Sequence, residues 1–292
     1  MKKSTLSILL LIVMILSITA VSAADDVTSD AGETQAVDEV TPDVGVLQSS
    51  PDTVTVTAPG DKNFTQLQQE IDDSPYGMIN INSNYVRQEG ENDIVINKNF
   101  NIFGDDEHTI DANGLGGIFK VNEGYALLLQ NVVLVNGNAN NGGAIYNEGT
   151  ISFISSEISN CNASVGGAIY NKGILSISGS TLDENTATTK GAALYSEGIT
   201  VVDDSIFDNN KITTGSTYAE TQADKCNGGG AIYNEGDLTV SGSTFTKNTA
   251  PHDTEVFSAG GAIHNNDAGN LLIEACKFEE NSAVHGGAVM FE

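Results

Sequence analysis

Tyrosine recurs in this chain at spacings able to build a binding surface. Tyr146, Tyr170, Tyr195 and Tyr233 each occupy the fifth place of a six-residue phrase that returns along the sequence. Rings held in such a column offer faces that stack on sugar rings, or form a ladder in which they stack only on one another. Two further candidates for ligand contact, Tyr218 and His252, fall in segments where the phrase is delayed. Catalytic chemistry is less in view. Glycoside hydrolysis needs converging carboxylates, yet Asp203 and Asp204 have no matching cluster in neighbouring repeats. The histidines, His108, His252, His264 and His285, lack metal-ligand spacing. No catalytic residue, resident metal or cofactor is expected.

Three cysteines cannot all pair within one chain. Cys161 and Cys276 occupy columns filled elsewhere by Asn and Ser, and are expected as small core residues; Cys226, in a delayed segment, is the candidate reactive thiol. The formal charge of −27 repels nucleic acid and anionic lipid, because phosphate recognition needs clustered Lys and Arg. Acidic surfaces attract cations, so weak calcium binding would fall at exposed pairs such as Asp105-Asp106 and Asp203-Asp204, the competing reading being solvated acids. Sequons at Asn63 and Asn162 fit glycan attachment on an exported protein.

The elements that must position these residues follow from the phrase itself. Gly-Gly-Ala-Ile-Tyr-Asn stands in full from Gly142, Gly166 and Gly229, and in looser form from Gly116, Gly191, Gly260 and Gly286. A phrase returning every 25 residues or so defines a repeat architecture. Apolar residues keep fixed offsets within each unit: Leu127, Leu129 and Leu134 correspond to Ile151, Phe153 and Ile158, then to Leu175, Ile177 and Leu182. Apolar residues two apart, with Ser or Thr between, are the signature of a strand with one buried face. Two or three such strands per unit are too few to fold alone, and stacking the units supplies the missing core.

The expected fold is therefore all-β: a right-handed, single-stranded parallel β-helix, or solenoid, with regular coils over 116–292. One unit is ambiguous. Either Ile199 and Val201 or Thr200 and Val202 face inward, and only the second choice keeps the common offset to Phe207. Two Asn columns should form structural ladders: Asn185, Asn210, Asn248 and Asn281, which close the apolar-x-x-Asn phrases, and Asn147, Asn171, Asn234 and Asn265, which close the glycine phrases. If the phrase isoleucines point inward, the tyrosines turn outward as a partly exposed column.

GGAI and Phe-x-x-Asn in alternation resemble the repeats of chlamydial polymorphic membrane proteins. With its leader and N-terminal segment, the longer pattern is similar to adhesin-like surface proteins of methanogenic archaea. The resemblance covers about residues 60–292 and implies surface attachment; it carries over no catalytic residue.

Residues 1–23 read as a signal peptide, with Lys2 and Lys3, an apolar stretch from Leu6 to Ala20 and a Val21-Ser22-Ala23 cleavage site. Residues 24–60 are acidic, without a basic residue, and read as a disordered linker. The solenoid spans 61–292, beginning with a capping helix over about 64–72 and irregular coils over 78–115. Between the apolar-x-x-Asn phrase and the next glycines, the unit ending at Asn210 spends 19 residues and the one ending at Asn248 spends 12. Insertions at one corner should lie side by side as a recognition surface, the alternative being tolerated surface loops. The sequence stops at Glu292, seven residues into a unit, which suggests a truncated chain or an end that pairs with another molecule.

These features converge on a secreted or cell-surface module, non-catalytic, attaching to a glycan or protein on a host or neighbouring cell, with no membrane insertion of the mature module. The alternatives are a polysaccharide lyase or glycoside hydrolase on the same scaffold, for which the single arginine, Arg87, is poorly placed, and a structural spacer of the cell envelope.

Overall fold

The computed structural model describes residues 60–105, 107–214, 216–217, 227–251 and 256–292. The leader, nearly all of the acidic linker, Asp106, Tyr218, Cys226 and His252 lie outside the described residues.

The chain begins its first coil under a helix, Phe64–Asp73. Asn63 caps it: its side chain accepts from the Gln66 amide while Gln66 Oε1 accepts from the Asn63 amide. The helix stops at Ser74, ahead of Pro75, whose ring disfavours helical backbone in the residue before it. Phe64, Leu67 and Ile71 lie one turn apart, and all three are buried. They cover apolar residues of the first strands that would otherwise face water, such as Ile81 and Tyr85.

Three parallel sheets of eight strands form the walls. One is built from strands of mostly five residues, such as Thr150–Ile154 and Ile174–Ser178. A second holds short strands such as Glu157–Ser159 and Thr181–Asp183, and a third carries the glycine-phrase strands such as Ile145–Asn147 and Ile169–Asn171. The registers match like with like: Ile151 pairs with Leu127 and Leu175, Phe153 with Leu129 and Ile177, and Ile158 with Leu134 and Leu182. Each of these side chains is buried in one continuous core. Phe207, Phe245 and Phe278 stack at 4.8 and 5.0 Å between ring centres, so the interior is in contact from coil to coil.

The ambiguous unit resolves to the second choice. Thr200 pairs with Leu175 and Leu238, and Val202 with Ile177 and Val240. A threonine is tolerated inside because this coil has Ser196 where others have Asn: Thr200 Oγ1 lies 2.8 Å from Ser196 Oγ and accepts from Asn171 Nδ2 at 3.1 Å. The two hydroxyls together fill the hydrogen-bonding role of the missing amide.

A fourth sheet, of seven strands, exceeds the two or three strands expected per unit. It starts at Asn138–Asn141 and continues through Asn162–Val165 and Thr186–Lys190. These three strands are polar or built on Ala, so they carry no apolar alternation to betray them. Within it Ser216–Thr217 pairs antiparallel with part of Val256–Ala259.

The corners are set by backbone chemistry. Asn136, Asn160, Glu184, Asn209, Lys247 and Glu280 take φ of 51–57° at successive turns, a left-handed conformation in which Asn is the commonest residue after Gly. The leading glycine of each full phrase is also left-handed, as at Gly142 (φ 65°). The second is needed for a different reason: a Cβ on Gly167 would fall against the carbonyl oxygens of Ala192 and Thr186 in the adjoining coil. Cys161 is buried as expected, but Cys276 is only half-buried. It stands in the last described coil, where no further coil covers it.

Candidate ligand-binding surfaces

The phrase isoleucines point inward and the tyrosines outward, yet the column is not the partly exposed surface that alternation suggests. Tyr170, Tyr195 and Tyr233 are buried, at 8, 6 and 0% exposure, and only Tyr146 is half-buried. Two things cover them. The rings stack on one another, with centres 5.4, 4.8 and 5.7 Å apart from Tyr146 to Tyr233. Carboxylates and lysines then close over their edges: Tyr170 donates to Glu197 at 2.5 Å, Tyr195 to Glu235 at 2.8 Å, and Lys190 Nζ bridges Glu235 at 2.9 Å while lying 4.3 Å from the centre of Tyr233. Burial, then these carboxylates, push the Tyr170 and Tyr195 hydroxyls well above the usual phenol range. Faces already stacked on protein are not free to stack on sugar.

The column ends on His264, 4.5 Å from Tyr233 and fully buried. Burial and then the charge of Lys190 hold its pKa down at about 4, against the opposing pull of Glu235. Glu292 Oε2 lies 3.4 Å from its Nε2 and favours the protonated form as well.

The Asn columns point into the corners. Asn185 Nδ2 donates to Asn210 Oδ1, Asn210 Nδ2 to Asn248 Oδ1 and Asn248 Nδ2 to Asn281 Oδ1, at 2.9–3.1 Å. The same oxygens accept the backbone amides of the preceding members. Cys161 stands in this line, accepting from the Gly137 amide as an Asn would. In the second column Asn147 donates to Asn171 and Asn234 to Asn265, both at 2.7 Å. A third corner, the Ser column in which Cys276 also stands, is lined by Ser156, Ser180, Ser205 and Ser243, each of the last three accepting the backbone amide of the one before.

The two insertions meet where their described parts begin and end. Lys211 bridges to Thr249, and Asn227–Gly228 pairs with Ser258 and Ala259. With the antiparallel pairing of Ser216–Thr217 to Val256 and Phe257, the described parts of the two insertions are joined by backbone pairing at one corner.

Two features escaped sequence reasoning. Asp183 and Asp208 are register partners on adjoining strands, whereas attention to consecutive acids had picked out Asp203 and Asp204. Burial, then Glu184 and Asp208, raise the Asp183 pKa. The signal was available in the offset, since both residues follow the inward residue of the same short strand. The second is a cleft of about 420 Å³ lined by Asn113, Asn136, Asn138, Asn160 and Asn162 with Gly114 and Gly137. Among the described residues, no group of three or more His, Cys, Asp and Glu is placed to hold a metal ion, and no helix is long and apolar enough to cross a membrane.

Fold and repeat thus define a parallel β-solenoid repeat protein. Residues 204–235 match the Chlamydia polymorphic membrane protein repeat, a stretch that runs from a Phe-x-x-Asn phrase through the first insertion to the next glycine phrase. No curated protein and no solved structure matches the chain.

Proposed function

We propose that the chain is an exported, cell-surface adhesin-like module that attaches to carbohydrate or protein on other cells or surfaces and performs no catalysis. The observation that carries this reading is the paired insertion at one corner. A solenoid whose other corners repeat every 24–26 residues departs from its rhythm twice, in successive coils, and the two departures pair with each other. Loops that a rigid scaffold holds side by side are where binding residues concentrate. The match at 204–235 supports the same reading, because it includes the first insertion. The acidic surface, at −27 formal charge, favours partners that are neutral or basic.

Shortening both insertions to the five or six residues of neighbouring coils should abolish attachment to cells or glycan arrays and leave the circular dichroism of the solenoid unchanged. Retained attachment after both are shortened would remove the insertions from the binding surface.

A further inference from the structure

We propose that the asparagine-lined cleft at the start of the fourth sheet is a second binding site, specific for an uncharged saccharide. The cleft exists because the fourth sheet ends there: Asn138–Asn141 is its terminal strand, and the preceding coil turns through Asn113 and Gly114 without contributing one. The step between the two coils leaves a shallow, open groove of about 420 Å³, along which Asn136, Asn138, Asn160 and Asn162 are exposed.

Its chemistry is unusual for this chain. Five carboxamides line it and no lysine, arginine or carboxylate does, in a protein whose formal charge is −27. A carboxamide presents a donor and an acceptor at fixed separation, as does a pair of neighbouring sugar hydroxyls. An anionic ligand would find no counter-charge here, and an apolar one no apolar wall.

The amides are already oriented. Asn162 Nδ2 donates to Asn138 Oδ1 at 3.1 Å, and Asn138 Nδ2 to the Gly114 carbonyl at 3.2 Å. Asn136 Nδ2 donates to Asp111 Oδ1 at 3.0 Å, which ties the nearest carboxylate. Their remaining capacity has no protein partner among the described residues: the oxygens of Asn136 and Asn162, and the whole carboxamide of Asn160. Asn138 and Asn162 are register partners, so the groups repeat at the strand spacing of about 4.8 Å along the axis. That arrangement reads successive hydroxyls along a short oligosaccharide.

Preorganisation lowers the ordering cost of binding, but no aromatic face contributes, so four or five hydrogen bonds imply a Kd of about 1 mM for a single site. Affinity of that order is useful on a surface that displays many copies.

The test uses the full mature chain carrying Ser164→Ala, which removes the Asn162 sequon without touching the cleft. Side-chain amide resonances are followed by NMR during titration with cellobiose, chitobiose, lactose and, as a charged control, glucuronate. The proposal expects at least one neutral disaccharide to shift the Asn136, Asn160 and Asn162 amides, glucuronate to shift none, and Asn160→Gly to weaken binding about tenfold at unchanged Tm. Glycine is chosen because φ is 56° at this position, so the variant keeps its backbone. The proposal is overturned if no neutral disaccharide perturbs these amides at tens of millimolar, or if Asn160→Gly leaves the affinity unaltered. The latter would point to a peptide-like or edge-strand contact at Asn138–Asn141 instead. Shortening the insertions must leave this titration intact, so failure of either site is read separately from failure of the other.

Discussion

The coils from Gly142 to Asn248 and the coils before Gly117 belong to one solenoid but are held together differently. In the later coils the same contact is repeated: Asn on Asn, Ser on Ser, Tyr on Tyr, Phe on Phe. In the early coils the apolar columns continue, but the buried polar contacts differ from coil to coil. Arg87, buried at 6% exposure, donates to Asp93 and to the carbonyls of Glu91 and Gly117 at 2.6–2.7 Å, and lies over the Phe64 ring. Tyr85, also buried, donates to Glu70, and burial first and that carboxylate second raise its pKa to about 12. A ladder transmits damage to the coils on either side, whereas a single contact confines it. The difference between the two regions is therefore one of cooperativity more than of packing.

The comparison breaks most sharply at glycine. Gly167→Ala would drive its Cβ into the carbonyls of the adjoining coil, and is expected to cost about 3 kcal/mol or more and to lower the melting temperature of the whole solenoid. Gly90, in the early coils, has φ of 81° but open space around it, so Gly90→Ala should cost only about 1–2 kcal/mol, from backbone strain alone. Similar costs at the two sites in urea melts would erase the distinction.

A second contrast, somewhat smaller, sets Asn210→Ala against Arg87→Met. Losing the Asn210 side chain strands the backbone amide of Asn185 and takes a donor from the carbonyl of Leu182, while the oxygen of Asn248 keeps the Asn210 backbone amide, at about 3 kcal/mol in all. Arg87→Met keeps the packing on Phe64 and leaves Asp93, already 41% exposed, able to reach water, so about 2 kcal/mol is expected. Hydrogen exchange should show protection lost in several coils around Asn210, but only beneath the helix for Arg87. Equal spread of the two losses would argue against the ladder as the source of cooperativity.

The ladders also explain what could be read from sequence. The inward positions of the three eight-stranded sheets were legible in the regular coils, down to Thr200 once the offset to Phe207 was given weight, because a stacked core forces one register on successive coils. Outward positions were not. Alternation says that Tyr170 leaves the core, but it does not say that Glu197 and Lys172 will close over it, since these come from other offsets and neighbouring coils. The fourth sheet was missed for the same reason: Asn162, Ala163 and Val165 pair with Asn138, Ala139 and Asn141, polar or small partners that show no apolar period. The asparagine cleft depends on that sheet, so it was invisible as well.

At the far end of the tyrosine column pH becomes the probe. His264 is neutral when folded, with its pKa near 4, and an unfolded histidine takes up a proton near 6.5. The unfolded state therefore binds more protons between these values. The stability that neutral His264 represents is complete above pH 6.5 and is lost as pH falls towards 4. Glu292 at 3.4 Å softens the effect, leaving a loss on the order of 1–2 kcal/mol. Hydrogen exchange at pH 5 should show residues 256–292 opening before Gly142–Asn171, and His264→Phe should abolish that order. A uniform response along the solenoid would mean that the last coils are no more sensitive than the rest.

The smallest effect has the opposite sign. Asp183 and Asp208 stand side by side on adjoining strands, and an Oδ1 of each is buried without a hydrogen-bond partner. Burial and the neighbouring acids raise the folded pKa of Asp183 above its ordinary value, so here the folded state binds the extra proton. Stability contributed by this group should rise as pH falls through that raised value and decline as pH climbs above it. Asp183→Asn removes one charge of the pair, keeps the shape and adds a donor for Asp208, so it should raise Tm slightly at pH 7 and have less effect at pH 4. In the regular coils an amide ladder is already the stabilising arrangement at two corners, and this substitution extends the same chemistry to the outer face. A fall in Tm at pH 7 would show instead that the carboxylate pair is held by an interaction with its surroundings that outweighs their mutual repulsion.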